Sequence, residues 1–270
     1  MTSEKAVRHI LGISGGKDSA ALAIYLKEKG INPNIEYFFL DTGVELPEVY
    51  TFIDKMEAYL DAEIIKLGSE NSFEDHLKMQ VKMFQHENFL PSPIARWCTK
   101  VMKIQPLEKF MGNDNVVSYI GIRADEKRIG YVAKQGSNVT PVYPFKEDGI
   151  VRDDVFRILR ETVGIPEYYK WRSRSGCYFC FFQRRDEWIG LHEHHPGLFK
   201  QAMAFEKIDP ETGKKYTWVE GETLKELLAR KDEILAKKPE HNPNISWQEA
   251  IIEDIDNDEY DDQACMICSL

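Results

Sequence analysis

The chain has 270 residues, a formal net charge of −10 and an ordinary mixture of apolar and charged residues. This composition indicates a globular protein and argues against broad, non-specific binding to a polyanion, which normally requires a basic face. No apolar stretch approaches the roughly 20 residues that cross a bilayer, and the first residues lack the pattern of a secretory leader, so we expect a cytoplasmic protein with no membrane association.

Strand-like and helix-like patterns alternate over the first 165 residues. Short apolar runs are each followed by segments with helical periodicity. In chain order we predict strand 6–13, helix 17–30, strand 35–43, helix 46–60, strand 62–68, helix 72–84, helix 99–111, strand 116–124 and helix 152–164. This alternation is typical of parallel βαβ units, so the predicted fold is α/β with a layered, mainly parallel sheet. Ligands of such sheets bind at the carboxyl ends of the strands.

The pattern changes in the remainder of the chain. Helical periodicity fills 183–208 and 221–237, and the run at 249–262 is strongly acidic. We therefore predict an α/β domain over 1–165, a helical extension over 166–240 that packs on it, and an acidic tail over 241–270. A run of like charges usually forms a solvated segment, and docking to a basic partner protein is the alternative.

The turn between the first strand and the first helix reads SGGKDS, residues 14–19. Gly15 and Gly16 lack a Cβ, so the backbone can adopt positive φ and an anion can approach closely. The N–H groups of such a turn and of the helix behind it bind anions. Lys17 adds a cation, and Asp18 could hold Mg²⁺ against phosphate oxygens. The turn predicts a phosphate or pyrophosphate site; the plainer interpretation is a tight turn in which Ser14 or Ser19 caps the helix.

Several segments carry a family resemblance. SGGKDS resembles the SGGxDS loop of the N-type ATP pyrophosphatases, the adenine nucleotide α-hydrolase-like superfamily. DTGVELPEV at 41–49, GIRADEKRI at 121–129 and the segment at 141–159 are similar to parts of its phosphoadenylylsulfate (PAPS) reductase branch. Among these relatives, the chain most resembles the ATP pyrophosphatases of bacterial DNA phosphorothioation systems of the Dnd or Ssp type.

The resemblance implies that ATP, with Mg²⁺, is cleaved between its α and β phosphates to activate an acceptor for sulfur transfer. The implied nucleotide-binding residues are Ser14, Gly15, Gly16, Lys17, Asp18, Ser19, Asp41, Thr42, Gly121 and Arg123. The implied catalytic residues are Lys17, Asp18, Lys103 and Arg123. For Arg123, whose planar fork suits a phosphate or sulfate, the plainer interpretation is a surface ion pair with Asp125 or Glu126.

The same resemblance implies partners. Sulfur would come from a cysteine desulfurase, and because the chain is acidic, DNA would be presented by partner proteins. The alternative functions are a thioredoxin-dependent PAPS or adenylylsulfate reductase, a tRNA thiolase, and a nucleotide-binding scaffold or sensor subunit without turnover. The reductases carry a catalytic E-C-G-[IL]-H segment, which is absent from this sequence and counts against that alternative.

Three cysteines match ligands of the cluster-bearing reductases, which carry C-C-x-x-x-K-x-x-P-L and a distant C-x-x-C. CTKVMKIQPL at 98–107 retains Cys98 and Lys103 but has Thr99 at the second cysteine position, and GCYFC supplies Cys177 and Cys180. Three thiolates could hold an iron–sulfur cluster or zinc with one open coordination position. The alternative is that they are free thiols.

Two further features are less specific. Cys265 and Cys268 form a second C-x-x-C near the end of the sequence, which could relay sulfur or be incidental. His192, His194 and His195 lie close together, but Pro196 predicts a helix end and a new helix near Gly197. We interpret these histidines as packing residues.

Overall fold

A five-stranded parallel sheet forms the centre of the molecule. The computed structural model describes residues 7–31, 34–85, 88–130 and 137–237. The strands are β1 (Arg8–Gly12), β2 (Ile35–Asp41), β3 (Ile64–Gly68), β4 (Val116–Tyr119) and β5 (Val139–Val142). Their order is β3-β2-β1-β4-β5, and every neighbouring pair is parallel. The order reverses between β1 and β4, and ligands of open parallel sheets bind at such a reversal.

Helices cover the sheet. The helices of the sheet domain are α1 (Lys17–Glu28), α2 (Pro47–Leu60), α3 (Phe73–Phe84), α4 (Trp97–Thr99), α5 (Gln105–Met111), α6 (Pro144–Glu147) and α7 (Arg152–Glu161). Beneath α5 lies a small core that includes Phe38, Leu40 and Leu107, whereas Tyr37 and Phe39 belong to the large core. Alternate residues of β2 are thus buried in two different cores, as expected for a central parallel strand. The predicted layered α/β fold is confirmed.

The predicted helix at 99–111 begins earlier and contains a wider turn. Helical structure runs from Trp97 to Met111, with a π-helical segment at Lys100–Ile104 between α4 and α5. The amide of Gln105 donates to the carbonyl of Lys100, five residues back. Pro106 follows directly and has no N–H to donate. Single π turns of this kind occur frequently at functional sites, and this one carries Lys103.

The C-terminal extension packs on the sheet domain. It contains a 3₁₀ turn at Glu167–Lys170 and four helices, α8 (Arg185–His194), α9 (Pro196–Phe205), α10 (Leu224–Ala229) and α11 (Lys231–Leu235). One core cluster includes residues of both parts, from Leu11 to Ile234. The predicted helix over 183–208 ends at Phe205, and β6 (Lys207–Ile208) pairs antiparallel with β7 (Lys215–Tyr216), a hairpin that the sequence analysis does not predict.

The histidine cluster has the expected packing role. α9 begins at Pro196, as predicted. His194 stacks on Trp171 with ring centroids 5.4 Å apart, and His192 meets the ring of Phe199 edge-on at 5.0 Å. His195 Nε2 lies 2.7 Å from an oxygen of Glu48 and so links the extension to α2. The predicted tail, with Cys265 and Cys268, lies outside the described residues. In the part that the structure describes, no helix is long and apolar enough to span a bilayer.

Candidate functional site

The SGGKDS loop connects β1 to α1 and requires both of its glycines. Gly15 has φ of +78°, and a Cβ there would lie 2.7 Å from Cγ1 of Val49. A Cβ on Gly16 would lie 2.8 Å from Oγ of Ser175. Gly16 is the N-cap residue and has no side-chain capping bond. The Ser14 amide donates to Oγ of Ser19 at 3.1 Å. Ser19 therefore stabilises the loop and does not cap the helix.

Two tyrosines of the extension hold the loop from the other side. The hydroxyl of Tyr168 donates to the carbonyl oxygen of Gly15 at 2.7 Å, and the Lys17 amide donates to the hydroxyl of Tyr169 at 3.1 Å. Both rings are buried, and burial raises the pKa of both phenols. The sequence analysis misses these residues, because nothing local in YYK distinguishes them from ordinary core residues.

Asp18 lies between two cations. Its Oδ1 accepts from Nη1 of Arg123 at 2.8 Å, and its Oδ2 lies 3.1 Å from Nζ of Lys17. Burial alone would raise the pKa of Asp18, but the charges of Lys17 and Arg123 lower it to about 2. Asp18 is therefore an ionised carboxylate at the start of α1, where the helix dipole also favours a negative charge.

Arg123 is buried and holds three carboxylates together. In addition to Asp18, its Nε contacts Asp125 at 3.0 Å and its Nη1 contacts Glu126 at 3.2 Å. Burial opposes the charge on Arg123, but Asp18 and Glu126 raise its pKa further. The plainer interpretation, a surface ion pair with Asp125 or Glu126, is correct about the partners. It is wrong about the location, because Arg123 is buried and only 5% exposed. Gly121 permits this approach, because a Cβ there would lie 3.0 Å from the carbonyl oxygen of Asp18.

A cleft opens beside the loop at the reversal point of the sheet. Its larger part has an empty volume of about 980 Å³, open mouth included, and its lining comprises loop residues, the π turn, Gly121, Arg128 and residues 174–177 and 180–182 of the extension. A smaller part of about 380 Å³ lies between the ends of β1 and β2. The two parts share Ser14, Lys103, Ser175 and Gly176, so they form one continuous cleft. One end is rich in charge and N–H groups and the other is bordered by Phe38, Phe39 and Leu40.

Four predicted nucleotide-binding residues are not among those that line this cleft: Gly15, Asp41, Thr42 and Arg123. Oδ1 of Asp41 accepts from the Gly43 amide and from the hydroxyl of Tyr50, each at 2.8 Å. The Thr42 hydroxyl donates to Oε1 of Glu45 at 2.9 Å. Asp41 therefore bonds to its own turn and to α2, whereas Thr42 bonds to Glu45, a residue that the sequence analysis misses and that borders the smaller part of the cleft.

Cys98, Cys177 and Cys180 are half-buried free thiols that all line the larger part of the cleft. Sγ of Cys177 lies 3.3 Å from Oγ1 of Thr42 and 3.7 Å from Oε1 of Glu45. Burial and the neighbouring Glu45 carboxylate raise the pKa of the Cys177 thiol well above its usual range, and the Lys103 charge opposes that effect. Burial also raises the pKa of Glu45. Cys177 is therefore a protonated thiol in this arrangement.

The donor set for a metal ion is incomplete in this arrangement. Among the described residues, no group of three or more His, Cys, Asp or Glu side chains is placed to hold a metal ion. An iron–sulfur cluster or a zinc ion bound by Cys98, Cys177 and Cys180 therefore remains a prediction. Mg²⁺ is a different case, because the ionised Asp18 is an oxygen ligand beside the space where phosphate oxygens would lie.

The chain is similar to archaeal and phage proteins over part of their length. The chain is 30% identical over 235 residues to the uncharacterized protein MJ0066 of Methanocaldococcus jannaschii, an alignment covering 82% of this chain and 45% of that protein. It is 26% identical over 198 residues to the uncharacterized protein MJ0973 of the same organism, covering 70% and 45%. It is 27% identical over 143 residues to the uncharacterized nin region protein ORF290 of Escherichia phage lambda, covering 44% and 49%. The chain spans about half the length of these curated relatives.

A family match covers the part of the sheet domain from β1 to β4. Residues 8–137, which include the SGGKDS loop, the π turn and Arg123, match the model of the phosphoadenosine phosphosulfate reductase domain, and β5, α6 and α7 lie beyond the match. The matched residues make up just under half of the chain. The parallel α/β fold of this part of the chain is consistent with its similarity to that domain.

Proposed function

We propose that the protein is an ATP pyrophosphatase that cleaves ATP to AMP and pyrophosphate in order to activate an acceptor for sulfur transfer. The observation that carries this proposal is the geometry of the SGGKDS loop at the reversal point of the sheet. There the start of α1, the Lys17 ammonium group and the Asp18 carboxylate, which pairs with the buried Arg123, border one cleft that continues between β1 and β2.

The two parts of the cleft suit different parts of the nucleotide. The loop and the start of α1 suit the β and γ phosphates, because a helix N-terminus and a nearby cation both stabilise anions. The nucleoside would extend toward the smaller part of the cleft, along the β2 segment from Phe38 to Leu40. Lys103 borders both parts of the cleft and so would lie near the α phosphate.

The proposed reaction has two displacements. An acceptor oxygen attacks the α phosphorus, an O–P bond forms, and the bond from the α phosphorus to the bridging oxygen breaks, with its electron pair leaving on pyrophosphate. A sulfide then attacks the adenylated acceptor, a bond to sulfur forms, and AMP leaves with the acceptor oxygen and the electron pair of the broken bond. With a persulfide as nucleophile, the product is a disulfide, and a second thiol must attack the carrier's sulfur to release the acceptor with its new sulfur. Mg²⁺, held by Asp18 and the phosphates, would supply charge neutralisation of the leaving pyrophosphate. Lys17 and Lys103 would stabilise the charge that develops on the transferred and leaving phosphates.

The sulfur-transfer setting is the less constrained part of the proposal. Three thiols line the same cleft as the phosphate loop, so a sulfur carrier could act near the activated acceptor. On the resemblance to the Dnd and Ssp systems, we propose DNA phosphorothioate modification as the pathway, with a cysteine desulfurase as the sulfur donor.

The test is product identification. The purified chain is incubated with ATP and Mg²⁺, with and without a candidate acceptor, and the nucleotide and phosphate products are separated. We expect AMP and pyrophosphate, and we expect Lys17→Met to lose this activity while Lys29→Met, a change of an exposed lysine just beyond the same helix, retains it. Formation of ADP and orthophosphate, or equal activity of the two variants, would contradict the proposal.

A reductase is the second candidate, and the thiols at the cleft favour it specifically. In that case adenylylsulfate or PAPS would occupy the cleft and a thiol would attack its sulfur. Thioredoxin-dependent release of sulfite from either compound, without pyrophosphate release from ATP, would favour the reductase over the pyrophosphatase.

A further inference from the structure

We propose that the mouth of the cleft binds single-stranded nucleic acid through Arg96, Phe182 and Arg174, here called the arginine clamp. The inference rests on the proposed function, because an enzyme that adenylates an acceptor needs a second binding site next to its phosphate loop. It names the chemical class of that acceptor and assigns the residues that hold it.

The clamp is formed by two basic segments that are distant in the sequence. RWCTKVMK at 96–103 and KWRSRSGCYFCFFQRR at 170–185 stand out as basic stretches in an acidic chain. The structure brings them together on one aromatic ring: Cζ of Arg96 lies 5.4 Å from the ring centroid of Phe182, and Cζ of Arg174 lies 5.7 Å from it. Arg174 and Phe182 line the larger part of the cleft, and Ser175, the next residue after Arg174, packs on Gly16.

The two guanidinium groups lack carboxylate partners. Within the ranges that the structure describes, neither Arg96 nor Arg174 forms an ion pair, and Nε of Arg96 is shielded from solvent without a hydrogen-bond acceptor. Arg128, on the same cleft, is by contrast paired with Glu126. Two guanidinium groups without carboxylate partners beside one cleft favour a ligand that brings its own oxygens. Guanidinium groups bind phosphate oxygens in a forked, two-bond geometry.

The aromatic part of the clamp indicates what accompanies the phosphate. Phe181 and Phe182 have ring centroids 4.5 Å apart, both are half-buried, and both border the cleft. Unpaired bases stack on aromatic rings irrespective of sequence, whereas the bases of a duplex are already stacked on each other. Arginines without carboxylate partners beside two half-buried phenylalanines at the cleft therefore fit a single strand, or a nucleotide turned out of a duplex.

The net charge of the chain limits the number of nucleic-acid phosphates that it can bind. With a formal charge of −10, the protein cannot follow a long polyanion over its surface. Two arginines at one cleft mouth suit one or two phosphates, a local contact that overall charge does not exclude. The clamp thus gives the chain its own contact with nucleic acid, in contrast to the expectation that DNA is presented by partner proteins alone.

The experiment measures binding of a fluorescein-labelled ten-nucleotide oligothymidylate to the full chain by anisotropy, with a non-hydrolysable ATP analogue filling the phosphate loop. We expect Arg96→Gln combined with Arg174→Gln to weaken binding at least about tenfold and to make the slope of log affinity against log salt less negative by about 1.4, from two lost phosphate contacts. Phe182→Leu should weaken binding about tenfold through lost stacking.

Matched controls separate the clamp from general effects of charge and aromatic content. Arg157→Gln removes an arginine of α7 that is paired with Asp154, and Phe84→Leu removes a half-exposed ring of α3. Both should bind within about twofold of the unmodified chain. The duplex of the same length should bind more weakly than the single strand. Equal effects of control and clamp variants, or tighter binding of the duplex, would overturn the proposal.

Three further outcomes separate the possible failures. If thymidine monophosphate displaces the oligonucleotide at equal nucleotide concentration, a free nucleotide is the ligand and the proposal is wrong. If the chain releases pyrophosphate from ATP but binds no oligonucleotide, the clamp assignment fails and the proposed function survives. If clamp-dependent binding is found without pyrophosphate release, the proposed function fails and the binding site stands.

Discussion

Replacing Asp18 by asparagine removes the one carboxylate that lies between Lys17 and Arg123. The lowering of its pKa from 3.8 to about 2 means that the folded chain favours the ionised form. A shift of this size corresponds to about 2 kcal/mol of unfolding free energy. Since the pKa is lower in the folded state, this contribution is fully present above pH 4 or so, and is lost as the pH falls through the range from about 4 to about 2.

The assay is urea unfolding of the unmodified chain and of Asp18→Asn at neutral pH and at about pH 3. At neutral pH we expect the variant to be less stable by about 2 kcal/mol, and at about pH 3 we expect roughly half of that difference to disappear. Asp148→Asn is the control, because Asp148 forms an exposed ion pair with Lys29 and solvent screens the interaction of such pairs. A difference between the unmodified chain and Asp18→Asn that does not change with pH would refute this account of the Asp18 charge.

Three other changes follow from the geometry of the site. Gly16→Ala places a methyl group 2.8 Å from Oγ of Ser175, so we expect the free energy of unfolding, measured by thermal unfolding, to fall by about 1–3 kcal/mol. Adding Ser175→Gly should recover part of this loss. A loss that Ser175→Gly leaves unchanged would contradict the contact. Tyr169→Phe removes the acceptor of the first amide of α1 and should cost about 1 kcal/mol in urea unfolding, whereas unchanged stability would mean that water replaces it. Glu45→Gln removes a charge that raises the pKa of Cys177, so that thiol should react faster with iodoacetamide at pH 8. The rate of alkylation is followed by mass spectrometry. A slower reaction would mean that Glu45 does not raise the pKa of Cys177.

The sequence was sufficient to predict four of the five strands, β1 to β4, and the tight glycine turn that joins β1 to α1, but not β5. Both depend on local patterns: apolar runs that alternate with helical periodicity, and two glycines between a strand and a helix. Asp18 and Arg123 could be named as site residues because each follows the end of a parallel strand. Their direct contact at 2.8 Å could only be expected in outline, since it depends on how closely Gly121 lets the two loops approach.

The rest of the site depends on contacts between distant segments. Tyr168 and Ser175 reach the loop from more than 150 residues away in the sequence, and no local pattern marks them. Asp41 was placed near the nucleotide by its motif, yet its carboxylate bonds to Gly43 and Tyr50. A motif predicts which loop forms the site but does not decide which of its side chains point into the cleft.

The contact between the two tyrosines and the loop also has a consequence for biosynthesis. The hydroxyls that hold Gly15 and Lys17 belong to residues 153 and 152 positions later in the chain. At about 5–20 residues per second, a ribosome needs roughly 8–30 s to add the intervening segment. The SGGKDS loop is made before these tyrosines, and it reaches its final shape only after Tyr168 and Tyr169 have left the ribosome. The nascent sheet domain would therefore wait, with this loop incompletely held, until the start of the extension has been synthesised.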